Sequence, residues 1–242
     1  MDKFTFKEHF IALKYCLLKV FLSYIFGFIV CYYLSETILH IALKPLLDII
    51  HSNQVIIYTD LTEAFMAYIK IASYASLILI HPFFYYQIYS FISPGLYAQE
   101  QKILKIILFS SSLLFLCGSL FLYYIIIPNA WLFLTSFGNN NAIPLILNAK
   151  ISEYLSLFLN LLFVFATSFQ LPVILSILSL LGLVRSEQLR QKRRFIIVII
   201  FIISAIFTPP DIFSQIALAI PLILLYEISI AIGQLIERKV KE

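Results

Sequence analysis

The hydrophobic positions of this chain form long, continuous stretches, without the alternating pattern of a membrane β-barrel strand. The stretches cover about 17–39, 66–88, 103–127, 154–181, 195–207 and 216–232. An α-helix rises 1.5 Å per residue, so about 20 residues cross a hydrocarbon core of ~30 Å. The first four stretches reach this length and the last two fall short. The pattern therefore predicts six membrane-spanning helices, of which the fifth and sixth are short.

The composition supports the same class of protein. Hydrophobic residues make up 62% of the chain, charged residues make up 12%, and the mean hydropathy is +0.97. A soluble domain has roughly 45–50% apolar and about 25% charged residues. We therefore expect an all-α integral membrane protein with a single polytopic domain over residues 1–242. Its three cysteines lie in apolar stretches without metal-ligand spacing, so neither a metal nor a cofactor is predicted.

The basic residues are distributed unevenly over the predicted loops. With the N-terminus inside, thirteen Lys and Arg residues fall on the inner side, and only Lys44 and Lys150 fall on the outer side. The positive-inside rule then places both the N-terminus and the C-terminus inside. In this topology Glu100 faces the inner side and Glu63 faces the outer side.

A polar break at residues 93–102 separates the second and third stretches, and it contains a lone carboxylate. Pro94 and Gly95 together oppose a continuous helix, so the chain is expected to turn here. Glu100 is the only acidic residue of this break. Either it is an ordinary solvated loop charge, or it binds a cationic group, with the neighbouring lysines at 102 and 105 keeping it ionised.

Two polar residues interrupt the predicted spans, Gln170 in the fourth and Glu227 in the sixth. Such groups are costly at membrane depth unless they are paired or lie in a wet cavity. One interpretation is an interhelical hydrogen bond that holds the bundle together. The other is a hydrated cavity, and the pattern favours it because two short helices that meet at Thr208–Ser214 would thin the bilayer around them.

The sequence contains no G-x-S-x-G, H-E-x-x-H, phosphate-binding glycine loop or Ser-His-Asp set. We therefore expect a protein that is not an enzyme. A small secondary transporter or channel is one alternative, with Gln170 and Glu227 along its path. A membrane anchor of a respiratory complex is another, but haem ligation needs histidines on the spans, and only His81 comes close.

Several motifs together resemble one family, the twin-arginine translocase subunit TatC. The resemblance covers nearly the whole chain. It includes the helix entry Thr62–Phe65, the turn motif Ser93–Glu100, the fourth-span motif Ser168–Pro172, the basic loop Leu189–Arg194, and the junction Thr208–Gln215 followed by Pro221 and Glu227. The junction is the most specific of these motifs.

The resemblance implies a six-helix, cup-shaped receptor that binds twin-arginine signal peptides on its inner side. It also implies transport of folded proteins driven by the proton-motive force. The implied partners are small single-span subunits similar to TatA and TatB, the lipid bilayer and further copies of the chain. No nucleic acid is expected among them.

The residues expected to have a role fall into three groups. Signal-peptide binding is expected of Glu100 with Phe91, Pro94, Leu96 and Tyr97, and of Glu8 and His9 near the N-terminus. Partner docking is expected of Thr208 and Gln215, and structural roles on the outer side of Glu63, Pro209, Pro210 and Asp211. The role of Glu100 agrees with its chemistry, because a guanidinium group binds a carboxylate through two parallel hydrogen bonds.

The sequence departs from the family pattern at two positions. The N-terminal His-x-x-Glu-Leu pattern begins at His9 but has Ala12 where the family has glutamate. Recognition then rests more on Glu100, or Glu8 substitutes from the same helix face, four residues before Ala12. The fourth-span motif has Gln170 where glutamate is often found. The N-terminal departure and the Phe- and Tyr-rich composition favour a mitochondrial inner membrane, with a plastid thylakoid or a bacterial inner membrane as alternatives.

Overall fold

The computed structural model describes residues 6–48, 57–58, 60–139, 150–207 and 212–241, and within these ranges the side chains of all but 6–9, 134–139, 213–214 and 238–241. The helices are α1 Phe6–Tyr33, α2 Ser35–Leu47, α3 Glu63–Ile92, α4 Ala98–Phe121, α5 Ile127–Asn139, α6 Ile151–Ser168, α7 Leu171–Leu180, α8 Ser186–Gln191, α9 Arg193–Phe207 and α10 Ile212–Lys241.

Five helical stretches in these ranges are long and apolar enough to cross a membrane. They are Phe10–Tyr33, Glu63–Gly95, Ala98–Phe133, Ile151–Leu180 and Gln215–Glu237. The predicted fifth span corresponds to α9, an apolar helix of 15 residues. Its length is about 22 Å, which is less than the ~30 Å hydrocarbon core. The all-α membrane class is confirmed, and α9 is short, as the pattern predicts.

The sixth span belongs to a longer helix than the sequence predicts. α10 has 30 residues and continues through Pro221, whereas the apolar stretch ends near residue 232. Beyond that point the chain is rich in Gln, Leu, Glu, Arg and Lys, all good helix formers, so the helix extends past the hydrocarbon region. The apolar stretch therefore predicts the membrane crossing, and the helix itself is longer.

The third span also continues past Pro128, where the sequence predicts its end. A π-helical turn, Leu122–Ile126, joins α4 to α5, and the backbone N–H of Ile127 bonds to Leu122 O, five residues back. A proline ring would clash with the carbonyl four residues earlier in a regular helix, and the wider turn avoids this clash. Asn129 Nδ2 donates to Ile125 O at 2.6 Å, so a backbone carbonyl beside the turn has a partner.

The first span ends earlier than predicted, and a separate helix follows it. α1 ends at Tyr33, and α2 begins at Ser35 and extends beyond the predicted end of the span to Leu47. Leu39, Ala42 and Leu46 of α2 are buried in the main apolar cluster of the protein. The hydroxyl of Tyr154 donates to Ala42 O at 2.7 Å, so α2 is fixed to α6.

Two apolar clusters mark the two ends of the bundle. The larger one joins α2, α3, α6 and α10. The smaller one includes Leu180 at the end of α7 and Ile236 of α10, and Leu96 of the α3–α4 turn packs against it. At the opposite end, Glu63 Oε1 accepts the backbone N–H of Ser152 at 2.9 Å, which connects the beginnings of α3 and α6.

α1 and α3 run antiparallel and approach each other closely at Gly27. A Cβ atom on Gly27 would lie 2.8 Å from Ser76 Oγ, and Ser76 Oγ donates to Tyr24 O at 3.0 Å. Antiparallel helices with the same rise keep a constant sum of facing residue numbers, so residue 12 is level with about residue 91. The N-terminal part of α1 therefore lies at the end of the bundle that holds the α3–α4 turn.

Cysteine labelling tests the topology that the charges predict. Tyr97 and Leu61 are exposed, at 68% and 98%, and Glu187 is exposed at the start of α8. In a background without native cysteines, Tyr97→Cys and Glu187→Cys should react with a membrane-impermeant maleimide from the inner side, and Leu61→Cys from the outer side. Labelling of Tyr97→Cys and Leu61→Cys from the same side would contradict the predicted topology.

Candidate functional site

Short-range hydrogen bonds build the turn between α3 and α4. Residues Ser93–Gly95 form one 3₁₀ turn, which the N–H of Leu96 closes by donating to Ser93 O at 3.2 Å. Leu96 and Tyr97 have extended backbones, after which α4 begins at Ala98. Gln101 Nε2 donates to Ser93 O at 2.9 Å and to Leu96 O at 3.2 Å. The side chain of Gln101 thus fixes the turn to the first turn of α4.

Glu100 lies in the first turn of α4, three residues after the N-cap residue Tyr97. Its Oε2 atom accepts the backbone N–H of Tyr97 at 2.9 Å. This bond satisfies one of the N–H groups that a helix start leaves unpaired. The side chain is half-buried, and its Oε1 atom has no hydrogen-bond partner among the described residues. One carboxylate oxygen is thus fixed to the backbone and the other is available.

The lysines that the sequence places near Glu100 do not contact it. Among the described residues, neither Lys102 nor Lys105 forms an ion pair with this carboxylate. Glu100 lies above Leu104 and Ile107, which face the core, whereas both lysines are exposed on the other face of α4. The expectation that these two charges act directly on Glu100 is therefore not supported by the geometry.

The other predicted residues of the turn divide into buried and exposed ones. Leu96 is half-buried and packs on the smaller apolar cluster, so it holds the turn against the bundle. Phe91 is half-buried as well. Pro94 and Tyr97 are exposed, which makes them the accessible apolar surface beside Glu100.

The N-terminal residues expected at this site lie at the same end of the molecule. Glu8 and His9 belong to the first turns of α1, but their side chains are outside the described part. Ala12 is exposed and, by the register given above, is level with the last turn of α3. The start of α1 and the α3–α4 turn therefore lie at the same level of the bundle.

Gln170 is buried and fully engaged with two neighbouring helices. Its Oε1 atom accepts the hydroxyl of Tyr85 at 2.9 Å and the hydroxyl of Ser111 at 2.7 Å. Its Nε2 atom donates to Ser111 O at 3.3 Å. These bonds connect α3 and α4 to the break between α6 and α7. The arrangement matches the interhelical hydrogen bond, and not the hydrated cavity that the sequence favoured.

The break at Gln170 follows from the local sequence. Pro172 lacks the N–H that would bond to the carbonyl of residue 168, so the helix is interrupted after Ser168 and resumes at Leu171. α4 approaches this break very closely. A Cβ on Gly118 would lie 2.9 Å from the ring of Phe169, so a glycine is needed at this contact.

Glu227 forms an ion pair at the start of α9 and has no contact with Gln170 in the described part. Its Oε2 atom accepts a hydrogen bond from Arg193 Nη2 at 2.6 Å, and the two side chains are 42% and 40% exposed. The hydroxyl of Tyr226 donates to Leu189 O at 2.8 Å on the same side of α10. The structure thus separates the two residues that the sequence assigned to one polar cavity.

The junction of α9 and α10, which the sequence predicts on the outer side, falls partly outside the described residues. Thr208, Pro209, Pro210 and Asp211 lie outside the described residues. Gln215 Nε2 donates to Phe201 O at 3.1 Å, so this amide connects α10 to α9. Glu63 is buried, and its two carboxylate oxygens accept the N–H groups of Ser152 and Asp60.

The sequence alone did not identify four residues that complete these contacts. Tyr85 and Ser111 are the partners of Gln170, and Arg193 was assigned only to a basic loop. Glu237 accepts both the N–H and the hydroxyl of Ser186, at 2.6 and 2.7 Å. A polar residue within an apolar span was the available signal for Tyr85 and Ser111, but it does not indicate which span supplies the partner.

Comparison with known proteins gives one consistent family. A family model described as Sec-independent protein translocase protein (TatC) matches residues 8–221. The TatC protein of Rickettsia prowazekii is 47% identical over 239 residues, which cover 98% of this chain and 95% of that protein. TatC of Escherichia coli K12 is 36% identical over 222 residues, which cover 92% of this chain and 85% of that protein.

A solved structure agrees with these sequences. A crystal structure of the twin-arginine translocase receptor TatC has a TM-score of 0.80 and 34% sequence identity. The match covers 95% of this chain and 99% of that chain. The fold and the sequence therefore point to the same family over nearly the full length of both proteins.

The Gln170 contacts predict a stability effect. Gln170→Leu removes the acceptor of the hydroxyl groups of Tyr85 and Ser111. Each unsatisfied buried group costs about 1–3 kcal/mol in general and less on average between membrane helices. We expect a loss of about 1–2 kcal/mol in the free energy of unfolding, measured by denaturation in mixed micelles. Gln170→Glu keeps the acceptor and should cost less.

The control for this change is Asn160→Leu, because Asn160 is an exposed polar residue of α6. Tyr85→Phe combined with Gln170→Leu should cost less than the sum of the two single changes. Additive costs, or an unchanged stability of Gln170→Leu, would show that the network does not hold the helices together.

Proposed function

Because this chain belongs to the TatC family of Sec-independent protein translocase proteins, we propose that it is the receptor and core subunit of a twin-arginine translocase. It binds twin-arginine signal peptides at the α3–α4 turn and moves folded proteins across the membrane with the proton-motive force. The observation that carries this proposal is the carboxylate of Glu100, which is held by one oxygen on a rigid turn and has the other oxygen available.

The chemistry of the turn suits an arginine ligand. A guanidinium group donates its hydrogen bonds in a planar fork, whereas a lysine ammonium is a point charge. A carboxylate that is held in a fixed orientation can therefore distinguish arginine from lysine. The bond to Tyr97 N–H and the clamp by Gln101 supply this rigidity. The absence of a lysine contact in the described part leaves Glu100 free to pair with a ligand.

The N-terminal part of α1 provides the second half of the proposed site. Ala12 is level with the last turn of α3, so the segment that contains Glu8 and His9 lies at the same end of the bundle as the turn. We propose that Glu8 takes the place of the carboxylate that is missing at Ala12, since the two positions share one face of α1. Pro94, Leu96, Tyr97 and Phe91 contribute the apolar surface that a signal peptide contacts after its two arginines.

We propose that small single-span subunits, similar to TatA and TatB, dock at the outer junction of α9 and α10. α9 is about 22 Å long, which is shorter than the ~30 Å hydrocarbon core. A partner helix that packs beside α9 can reduce this hydrophobic mismatch. Ile206 and Ile212 are 70% and 75% exposed on either side of the junction. Thr208 and Gln215 offer polar groups to the partner. Structural roles on the outer side are assigned to Glu63, Pro209, Pro210 and Asp211.

We place the chain in an energised inner membrane, as a homo-oligomer together with these subunits. The mitochondrial inner membrane is the compartment that the sequence favours. The relatives reported above are bacterial proteins, so a bacterial inner membrane is the competing location. Identification of the genome that encodes the chain decides between the two.

Glu100→Gln tests the recognition of arginine. Glutamine keeps the size of the side chain and an oxygen that accepts the Tyr97 N–H, so the helix start should remain intact. Loss of one partner of a desolvated charge pair costs about 2–5 kcal/mol, which corresponds to a loss of roughly 30-fold or more in affinity. The measurement is the affinity for a twin-arginine peptide in nanodiscs.

Glu187→Gln is the matched control, because Glu187 is an exposed carboxylate in the first turn of another inner-side helix. It should leave the affinity unchanged. Ala12→Glu should partly restore binding to Glu100→Gln by supplying a second carboxylate at the same end of the bundle. An affinity of Glu100→Gln equal to that of the unaltered protein would return Glu100 to a purely helix-capping role.

Crosslinking tests the docking of partner subunits. Cysteines at Ile206 and Ile212 should crosslink to a single-span partner, because both side chains are exposed at the junction. Thr208→Val should weaken this crosslinking several-fold while the protein remains inserted, since a polar group offered to the partner is lost. A cysteine at Phe26, which is 71% exposed on α1, serves as the control position. Equal crosslinking at Phe26 and Ile206 would argue against a docking site at the junction.

A further inference from the structure

A groove lies between α3 and α4, on the surface that faces away from the core. Its volume is about 640 Å³. It is lined by apolar and aromatic side chains, among them Tyr86, Tyr89, Ile106, Phe109, Leu113 and Leu116, and Lys105 lies at one end. Tyr86 and Phe109 are 64% and 71% exposed. The groove therefore opens toward the lipid and not toward the interior of the bundle.

The positive charges lie at one end of this groove only. Lys102 and Lys105 are separated by three residues, so they share the face of α4 that continues through Ile106 and Phe109. Both lysines are exposed, and no ion pair is formed by either of them within the described ranges. A pair of free ammonium groups thus lies where the groove reaches the membrane surface.

The length of the groove matches one leaflet of a bilayer. Lys105 and Leu116 are eleven residues apart on one helix, a distance of about 16 Å. Half of a ~30 Å hydrocarbon core is about 15 Å. A chain that enters at Lys105 and ends beside Leu116 therefore runs from the headgroup region to the middle of the bilayer.

The geometry points to a binding site for one anionic phospholipid of the leaflet that contains the α3–α4 turn. Its phosphate group contacts Lys102 and Lys105, and one acyl chain fills the groove down to Leu116. The hydroxyl-bearing ring of Tyr89 lies in the wall of the groove, as aromatic side chains do at the boundary between headgroups and hydrocarbon. The charge complementarity selects an anionic lipid over a zwitterionic one.

This lipid site is separate from the proposed peptide site. Glu100 shares a face of α4 with the buried Leu104, whereas Lys102 and Lys105 occupy the opposite, exposed face. The lipid phosphate therefore approaches α4 from the side away from the Glu100 carboxylate. The two sites can consequently be tested independently on the same protein.

Native mass spectrometry of the full-length protein in detergent tests the proposal. Phosphatidylglycerol and phosphatidylcholine with identical acyl chains are the two probes. Each lysine near an anionic headgroup contributes about fivefold in affinity. We therefore expect Lys102→Gln with Lys105→Gln to lower the affinity for phosphatidylglycerol about 25-fold and to leave that for phosphatidylcholine unchanged. The matched control is Lys44→Gln, an exposed lysine of α2, which should have no effect.

Filling the groove provides a second, charge-independent test. Leu113→Trp places a large ring in the path of the acyl chain and should lower the affinity for both lipids at least fivefold. Leu224→Trp, at a side chain of α10 that is 58% exposed, is the control and should change neither. Glu100→Gln should not alter lipid binding, which distinguishes this site from the peptide site.

Three results would overturn the proposal. The first is equal binding of the two lipids to the unaltered protein. The second is phosphatidylglycerol binding that survives the double lysine change. The third is unaltered lipid binding in Leu113→Trp together with lost crosslinking of the apolar segment of a signal peptide, which would assign the groove to the peptide.

Discussion

Polar groups at membrane depth find no water, so every interruption of a spanning helix must be satisfied by the protein itself. At two interruptions of the described helices, a polar side chain meets this requirement. Gln170 joins the α6–α7 break to Tyr85 and Ser111. Asn129 bonds to a backbone carbonyl at the π-helical turn before α5. Gln170 therefore connects three helical segments, whereas Asn129 satisfies a carbonyl of its own helical stretch.

This constraint also weakens the transporter and channel alternative. A substrate path needs polar groups that face a wet cavity and are free to exchange partners. Gln170 is buried and bonded on both ends of its amide, and Glu227 is paired with Arg193 at the start of α9. The carboxylate of Glu100, by contrast, has one oxygen available and lies on the α3–α4 turn at one end of the bundle.

The sequence predicted the class of fold because the hydrocarbon core imposes a length on apolar stretches. The positions of the turn at Pro94 and Gly95 and of the short α9 follow from the same rule. Helix ends were predicted less well. The π-helical turn accommodates Pro128, and the polar end of α10 continues as helix. Neither feature could be predicted from the apolar stretches, because hydropathy does not report local backbone adjustment or helix propensity.

Side-chain partners were the part of the site that the sequence could not give. Glu100 was identified from its isolation, but its bond to Tyr97 N–H depends on the extended residues that precede α4. Gln170 was identified from its polarity, but its partners come from α3 and α4, which are far away in the sequence. Contacts of this kind depend on packing between spans, and the pattern of apolar stretches in one sequence does not show which spans are neighbours.

The first turns of α4 show how one helix separates two opposite charges. Glu100 begins the face that continues through Leu104, Ile107 and Ser111 toward Gln170, all on the core side. The lysines begin the face that continues along the lipid. Because a helix repeats every 3.6 residues, shifts of two and five positions are enough to place these charges on opposite sides. In the proposed arrangement, an arginine of a ligand can pair with Glu100, because Lys102 and Lys105 are not paired with this carboxylate. An anionic lipid can bind the two lysines on the opposite face, away from the negative charge of Glu100.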